Sequence, residues 1–398
     1  MNIFQFKILK QSQKSRARLG IIQTPHGEIK TPAFIPCATK GSLKSLVIED
    51  IQKIKTQILF VNTYHLVVSC GVDIIEKAGG IHKFANLNLP LITDSGGFQV
   101  FSLSRKSRWH DRRESQTACN NESTGWEEEV TESAFSNIDF PNLVKITDDG
   151  VKFRSHIDGN EFYFTPEYSI EAQKKIGADF IVALDDCLPS DVTRKQTERS
   201  VKRTYDWAQR SLQMVSARPT IQRLYGVIQG GMYEDLRKKS AEDISSLPFW
   251  GLAIGGVAVG ESKEEMRNQV KWVMDVINND KRPCHLLGVG QLDDIVDAVK
   301  QGIDTFDCVI PTRHARMGKL YRAAQEVIDI YDAEYKYDLN PIDEDCQCYT
   351  CQNYSRAYLR HLFKARELTA YRLATIHNLT VIECFMEDIR EKIESGRI

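Results

Sequence analysis

Eight short apolar runs, each followed by an amphipathic stretch, constrain the fold of this chain more than any other feature. They cover residues 32–39, 58–65, 91–97, 180–186, 224–230, 250–256, 285–290 and 305–310. Helical patterns such as 233–244, 263–278 and 292–300 lie between them. Strands joined by helical crossovers pair in parallel, and eight such units predict an α/β chain closed into a (β/α)₈ TIM barrel. In that fold the catalytic groups stand at the C-terminal ends of the strands. Asp94, Asp185, Gln229, Gly255, Gly256 and Asp307 all fall late in or just after their runs, and Asn62, Thr63 and His65 join them.

The 398 residues, 42% hydrophobic and 27% charged with a net charge of −2, fit one soluble barrel with appendages. No apolar run approaches the roughly 18 residues of a membrane span, and the N-terminus lacks a secretory pattern, so no membrane partner and a cytoplasmic location are expected. Cys37, Cys70, Cys187 and Cys308 stand singly in apolar surroundings, where a thiol acts as a small hydrophobe. A near-neutral chain can hold nucleic acid only through a local basic patch. Residues 1–31 read as an N-terminal hairpin packed on the barrel as lid or floor, and 32–340 as the barrel. Opposed blocks of Arg and Glu make 105–141 a mobile insertion, and 341–398 form an integral metal-binding and helical tail.

Asp307 is flanked by Phe306, Cys308, Val309 and Ile310, so its carboxylate must be paired, hydrogen-bonded or protonated. Pro311 predicts that the strand runs into a loop, where Arg313 and Arg316 stand three residues apart. A carboxylate beside two guanidinium groups suits a nucleophile acting on a phosphate-bearing substrate, although a structural Asp–Arg pair explains the same residues. Cys346, Cys348 and Cys351 place three thiols on one turn. With His377 they make the closed tetrahedral set of one structural Zn²⁺ per chain. Between these ligands, Arg356, Arg360, Lys364 and Arg366 recur at helical spacing, a solvated face or a patch for RNA.

The motifs Thr93-Asp-Ser-Gly-Gly-Phe-Gln99, Leu184-Asp-Asp-Cys187, Gly226-Val-Ile-Gln-Gly230, Gly255-Gly-Val-Ala-Val-Gly-Glu261 and Phe306-Asp-Cys-Val-Ile-Pro-Thr-Arg313, with the Cys₃His set, resemble tRNA-guanine transglycosylase of the bacterial type. The resemblance runs from about Lys30 onward, interrupted by the 105–141 segment. It implies exchange of the wobble guanine of tRNAs with G-U-N anticodons (Asp, Asn, His, Tyr) for a 7-deazaguanine base, in queuosine biosynthesis. It implies Asp307 as nucleophile and Asp94 as general acid/base. Asp185, Gln229, Gly256 and Val257 resemble base-reading groups, Phe98 a stacking wall, and Arg313 with Arg316 contacts to the tRNA anticodon loop. Zinc on Cys346, Cys348, Cys351 and His377, and a homodimer formed partly through that module, carry over as well.

Replacing one base by another on the same sugar face needs two inversions, hence a covalent intermediate on a carboxylate and a second carboxylate to move a proton. In the bacterial pattern that the chain resembles, a Cys and a Val at the positions of Cys187 and Val259 narrow the space beyond the 7-substituent. Glu261 suits an ammonium steadied through the Gly256-Val257 backbone, so 7-aminomethyl-7-deazaguanine is the expected base and queuine the alternative. Leu287 stands where relatives usually carry Met as a platform under the base. A catalytically silent tRNA-binding paralogue would lack the carboxylates, and a glycoside hydrolase would have no use for the Arg segment.

Overall fold

In place of the expected hairpin, the N-terminal segment forms a three-stranded antiparallel sheet of β1 (Gln5–Gln11), β2 (Arg18–Thr24) and β3 (Gly27–Thr31). The structure, a computed structural model, describes residues 4–97, 144–155, 157–322 and 326–398. Phe98 and the 105–141 segment lie outside the described residues.

The barrel follows in chain order. Its strands β4 (Ala33–Pro36), β5 (Leu59–Val61) and β6 (Leu91–Thr93) precede a second antiparallel sheet of β7 (Val144–Ile146), β8 (Val151–Arg154) and β9 (Glu161–Phe164). β10 (Phe180–Val182), β11 (Arg223–Ile228), β12 (Gly251–Ile254), β13 (Cys284–Leu286) and β14 (Thr305–Cys308) complete it. All eight pair in parallel in the order β4-β14-β13-β12-β11-β10-β6-β5, and a bridge between Cys37 and Phe60 closes the ring. Every apolar run read as a strand is one. The β7–β9 sheet was not anticipated, although Asp149-Gly150 and Asp158-Gly159 are hairpin-turn signals between alternating residues.

Alternation along the strands sorts two cores. Ile35, Phe60, Ile92, Val182, Val227 and Ala253 fill the barrel interior, together with Phe4, Ile22 and Ile29 from the N-terminal sheet. Phe34, Ile181, Leu224, Leu252, Ile254, Leu286 and Phe306 face the helices instead. The N-terminal sheet is therefore a floor, at the N-terminal strand ends. Arg18 fastens it with a bidentate pair to the fully buried Asp304 (2.6 and 2.9 Å), just before β14. Burial raises the Asp304 carboxyl and Arg18 opposes the shift. Helix starts are capped where the pattern resumes: Ser262 and Glu265 form a capping box on the helix Lys263–Val276, and Thr165 caps Pro166–Ile176.

After β14 the chain does not loop. It enters the helix Ile310–Arg316, because Pro311 falls in the first turn where its missing N–H costs nothing. A hairpin of β15 (Lys319–Arg322) and β16 (Glu326–Asp329) follows, then the tail with its helix Leu368–Glu394. Among the described residues no helix is long and apolar enough to cross a membrane.

Candidate active site

The C-terminal rim of the barrel gathers three buried carboxylates. Asp307 sits on β14 with its side chain on the interior face, in register with Ile35. Its Oδ1 accepts from Gly288 N (3.0 Å) and lies 3.1 Å from His285 Nε2, while its Oδ2 faces the Cys37 thiol at 3.7 Å. The requirement that this carboxylate be paired or hydrogen-bonded is met, but not by the arginines. The helix carries Arg313 into solvent, and Arg316 Nη1 donates to Thr312 O (2.8 Å). Cys37, read as a small hydrophobe, has instead a polar position, and burial together with the charge of Asp307 holds its thiol well above the ordinary range.

Asp94 follows β6. Its Oδ1 accepts from Thr63 N (2.7 Å) and its Oδ2 from the Asn62 amide, while Thr63 Oγ1 donates to its carbonyl (2.6 Å). Asn62 also caps the helix Thr63–Ser69 through His65 N. The two carboxylates stand on the same rim, Asp307 late in β14 and Asp94 directly after β6, both strands of the one parallel barrel.

Asp185 Oδ1 accepts from Ser95 Oγ (3.1 Å) and Oδ2 from Gln229 Nε2 (2.7 Å). Burial is the main cause that pushes its carboxyl up to about 6, with Asp186 adding to it. Gln229 in turn packs against Gly255 and Gly256. A Cβ on Gly256, whose φ is +62°, would stand 2.2 Å from Gln229 Oε1. Only glycine fits a positive φ and so close an amide. Cys187, two residues beyond Asp185, is buried against Gln229, and Val257 is buried while Val259 and Leu287 are partly exposed at the rim.

Three placements differ from, or add to, the expected set. Glu261 accepts from Ala258 N and Val259 N, further along than the Gly256-Val257 peptide, and so braces the turn after Gly256. Arg237 was not anticipated at all. Its fully buried guanidinium donates to Gly255 O (2.6 Å), Gly256 O (2.6 Å), Gly231 O (2.9 Å) and Gln269 Oε1 (2.6 Å), and burial lowers it to about 10. Its position within an amphipathic helix gave no sign of this. His285 was likewise missed: it is fully buried in the barrel interior, with Nδ1 2.9 Å from Thr305 Oγ1.

In the tail, Cys346, Cys348 and Cys351 surround His377 Nδ1 with sulfurs at 3.7, 3.5 and 3.3 Å, and the four could hold a metal ion. Zn–S and Zn–N bonds of about 2.3 and 2.0 Å at tetrahedral angles require S···N edges of about 3.5 Å. His377 Nε2 faces Tyr321 O, which fixes the ring with Nδ1 toward the thiols. Arg356, placed on the possible RNA face, is instead buried against Asp338.

The family model described as Queuine tRNA-ribosyltransferase matches residues 12–132 and 120–398. The chain belongs to the queuine tRNA-ribosyltransferase family. A queuine tRNA-ribosyltransferase of Caldanaerobacter subterraneus subsp. tengcongensis is 42% identical over 398 residues, 100% of this chain and 96% of that protein. The Aquifex aeolicus protein of the same name is 41% identical over 397 residues, 99% and 96% of the two chains, and one from Staphylococcus aureus 42% over 393 residues, 99% and 93%. The chain is accordingly an enzyme, a pentosyltransferase of this family, and the motif carboxylates stand on its rim.

Proposed function

We propose that the enzyme exchanges the wobble guanine of tRNAs with G-U-N anticodons for 7-aminomethyl-7-deazaguanine by double displacement. The observation that carries this reading is the pair of buried carboxylates, Asp307 and Asp94, on one barrel mouth beside Asp185, Gln229 and the Gly256 backbone. Asp307 attacks the anomeric carbon and holds the ribose; Asp94, kept in place by Asn62 and Thr63, moves the proton of the departing and incoming bases. The Asp185 carboxylate accepts from the base N–H groups. Buried Cys187 favours a small 7-substituent over the larger queuine. Reaching the base means extruding it from the anticodon loop, which costs least in single-stranded RNA.

Zinc is the metal proposed for the Cys₃His cluster, as a structural ion, because three thiolates and an imidazole leave no open position. A cytoplasmic homodimer is proposed too, with the exposed rings of Tyr349 and Tyr358 beside the cluster as part of its contact.

The test is release of labelled guanine from such a tRNA, together with a denaturant-resistant enzyme–tRNA adduct. Asp307→Asn should abolish the adduct, whereas Asp94→Asn should retain it and block exchange. An adduct that persists in the Asp307 variant would remove the assignment. Relative incorporation of the two bases decides between them: a higher kcat/KM for queuine overturns the choice of 7-aminomethyl-7-deazaguanine.

A further inference from the structure

Taking Asp307 as the nucleophile, as proposed above, leaves open which of its two oxygens reacts, and their surroundings are not equivalent. Oδ1 accepts from Gly288 N, a fixed donor, and lies 3.1 Å from His285 Nε2. Oδ2 has the Cys37 thiol at 3.7 Å. An ionised carboxylate only accepts, so Nε2 of His285 carries its proton. Nδ1 is then the acceptor for the Thr305 hydroxyl at 2.9 Å.

This chain of donors is set by strands, not loops. His285 pairs in register with Thr305, and Thr305 and Asp307 are two residues apart on the same strand, hence on one face. From Thr305 the imidazole reaches diagonally to Asp307. Phe60 lies nearly parallel to the imidazole, at 6.2 Å between ring centres and 18° between planes.

We propose that His285, with Gly288 N–H, occupies Oδ1 of Asp307 and so makes Oδ2 the attacking atom, and that Cys37 keeps Oδ2 reactive because a thiol is a weak hydrogen-bond donor. His285 is a positioning residue here; it touches neither sugar nor base. In the first displacement an Oδ2 lone pair forms the bond to C1′. The C1′–N9 bond breaks with its electron pair leaving on guanine, which takes a proton from the Asp94 carboxyl. In the second, the Asp94 carboxylate removes the N9 proton of the incoming base, whose nitrogen attacks C1′ as the electron pair of the ester bond returns to Oδ2. Throughout, the charge left on or withdrawn from Asp307 is met at Oδ1 by two N–H groups that need not move.

The experiment is single-turnover adduct formation and steady-state guanine exchange by the full chain on an unmodified wobble-guanine tRNA. His285→Phe keeps a flat ring and loses the donor. It should slow adduct formation by about 10- to 100-fold and move the KM for tRNA by less than about threefold. His285→Gln, whose amide can donate to the same oxygen, should recover at least about tenfold of that loss. Cys37→Ser places a stronger donor on Oδ2 and should react about tenfold more slowly than Cys37→Ala. Equal rates for the two His285 variants, or a serine variant as fast as the alanine one, would overturn the inference. Should His285→Phe not fold, the Cys37 pair decides alone. A wild-type chain that neither forms an adduct nor releases guanine removes the reading of Asp307 itself; an active wild type with unresponsive variants removes only the division of the oxygens.

Discussion

Asp185 is buried with an amide and a hydroxyl for partners and with a second carboxylate, Asp186, close enough to raise it further. Burial pushes its carboxyl up to about 6. To accept from a guanine-type base it must be ionised, so below that pH binding has to expel a proton and weakens by about tenfold per unit. The Kd of 7-aminomethyl-7-deazaguanine should therefore be flat above pH 7 and rise steadily toward pH 5. A Kd constant across that range would refute Asp185 as the acceptor, and Asp185→Asn should bind weakly with no such slope. Asp185, Gln229, Asp94 and Asp307 were legible in the sequence because strand-end chemistry lies next to the apolar run that announces the strand. His285 was not, since what makes it polar machinery is its register opposite Thr305, and pairing between strands is invisible to local spacing. The suggested pairing of Arg313 and Arg316 with Asp307 fails for the converse reason. Nearness along the chain suggested an ion pair with Asp307, but a helix in place of a loop turned them away.

Among the elements, the ends of β11 and β12 depend on the buried guanidinium of Arg237, which ties Gly231, Gly255 and Gly256 to the helix Glu234–Ser245. Gly230 accommodates that helix: a Cβ there would stand 2.6 Å from Arg237 backbone atoms. Removing the guanidinium orphans several buried carbonyls. Arg237→Met should cost about 3 kcal/mol of stability in denaturant titrations. Arg237→Lys, with one ammonium in place of a planar fork, should keep the charge yet raise the base KM by about tenfold. A lysine variant with unchanged KM would show that the clamp is dispensable to the pocket. At this scale the eight strands were readable from their apolar runs, whereas the β7–β9 sheet was not, its short strands being half-exposed and free of a strong apolar signal.

At the scale of the whole molecule, the Cys₃His cluster and the segment after Asp307 are joined through one helix. His377 belongs to Leu368–Glu394, and its neighbour Asn378 accepts from Tyr321 N (3.0 Å) and donates to Pro311 O (3.1 Å) and Lys319 O (3.0 Å), spanning the segment that follows Asp307. Metal analysis should find close to one Zn²⁺ per chain. Cys348→Ala should lose it, disorder the tail before barrel secondary structure is lost, and reduce exchange activity in parallel. Activity fully retained by metal-free protein would separate the two. The closure of the ring has a further consequence, which belongs to the chain as it is made. Cys37, directly after the first barrel strand, meets Asp307 across a sequence separation of 270 residues, and β4 pairs directly with β14. Until β14 is synthesised, β4 and β13 are open sheet edges that offer unpaired backbone to other chains. Asp307 is thus among the last parts of the barrel to form, and a chain halted before it has an exposed seam where the completed barrel carries that carboxylate.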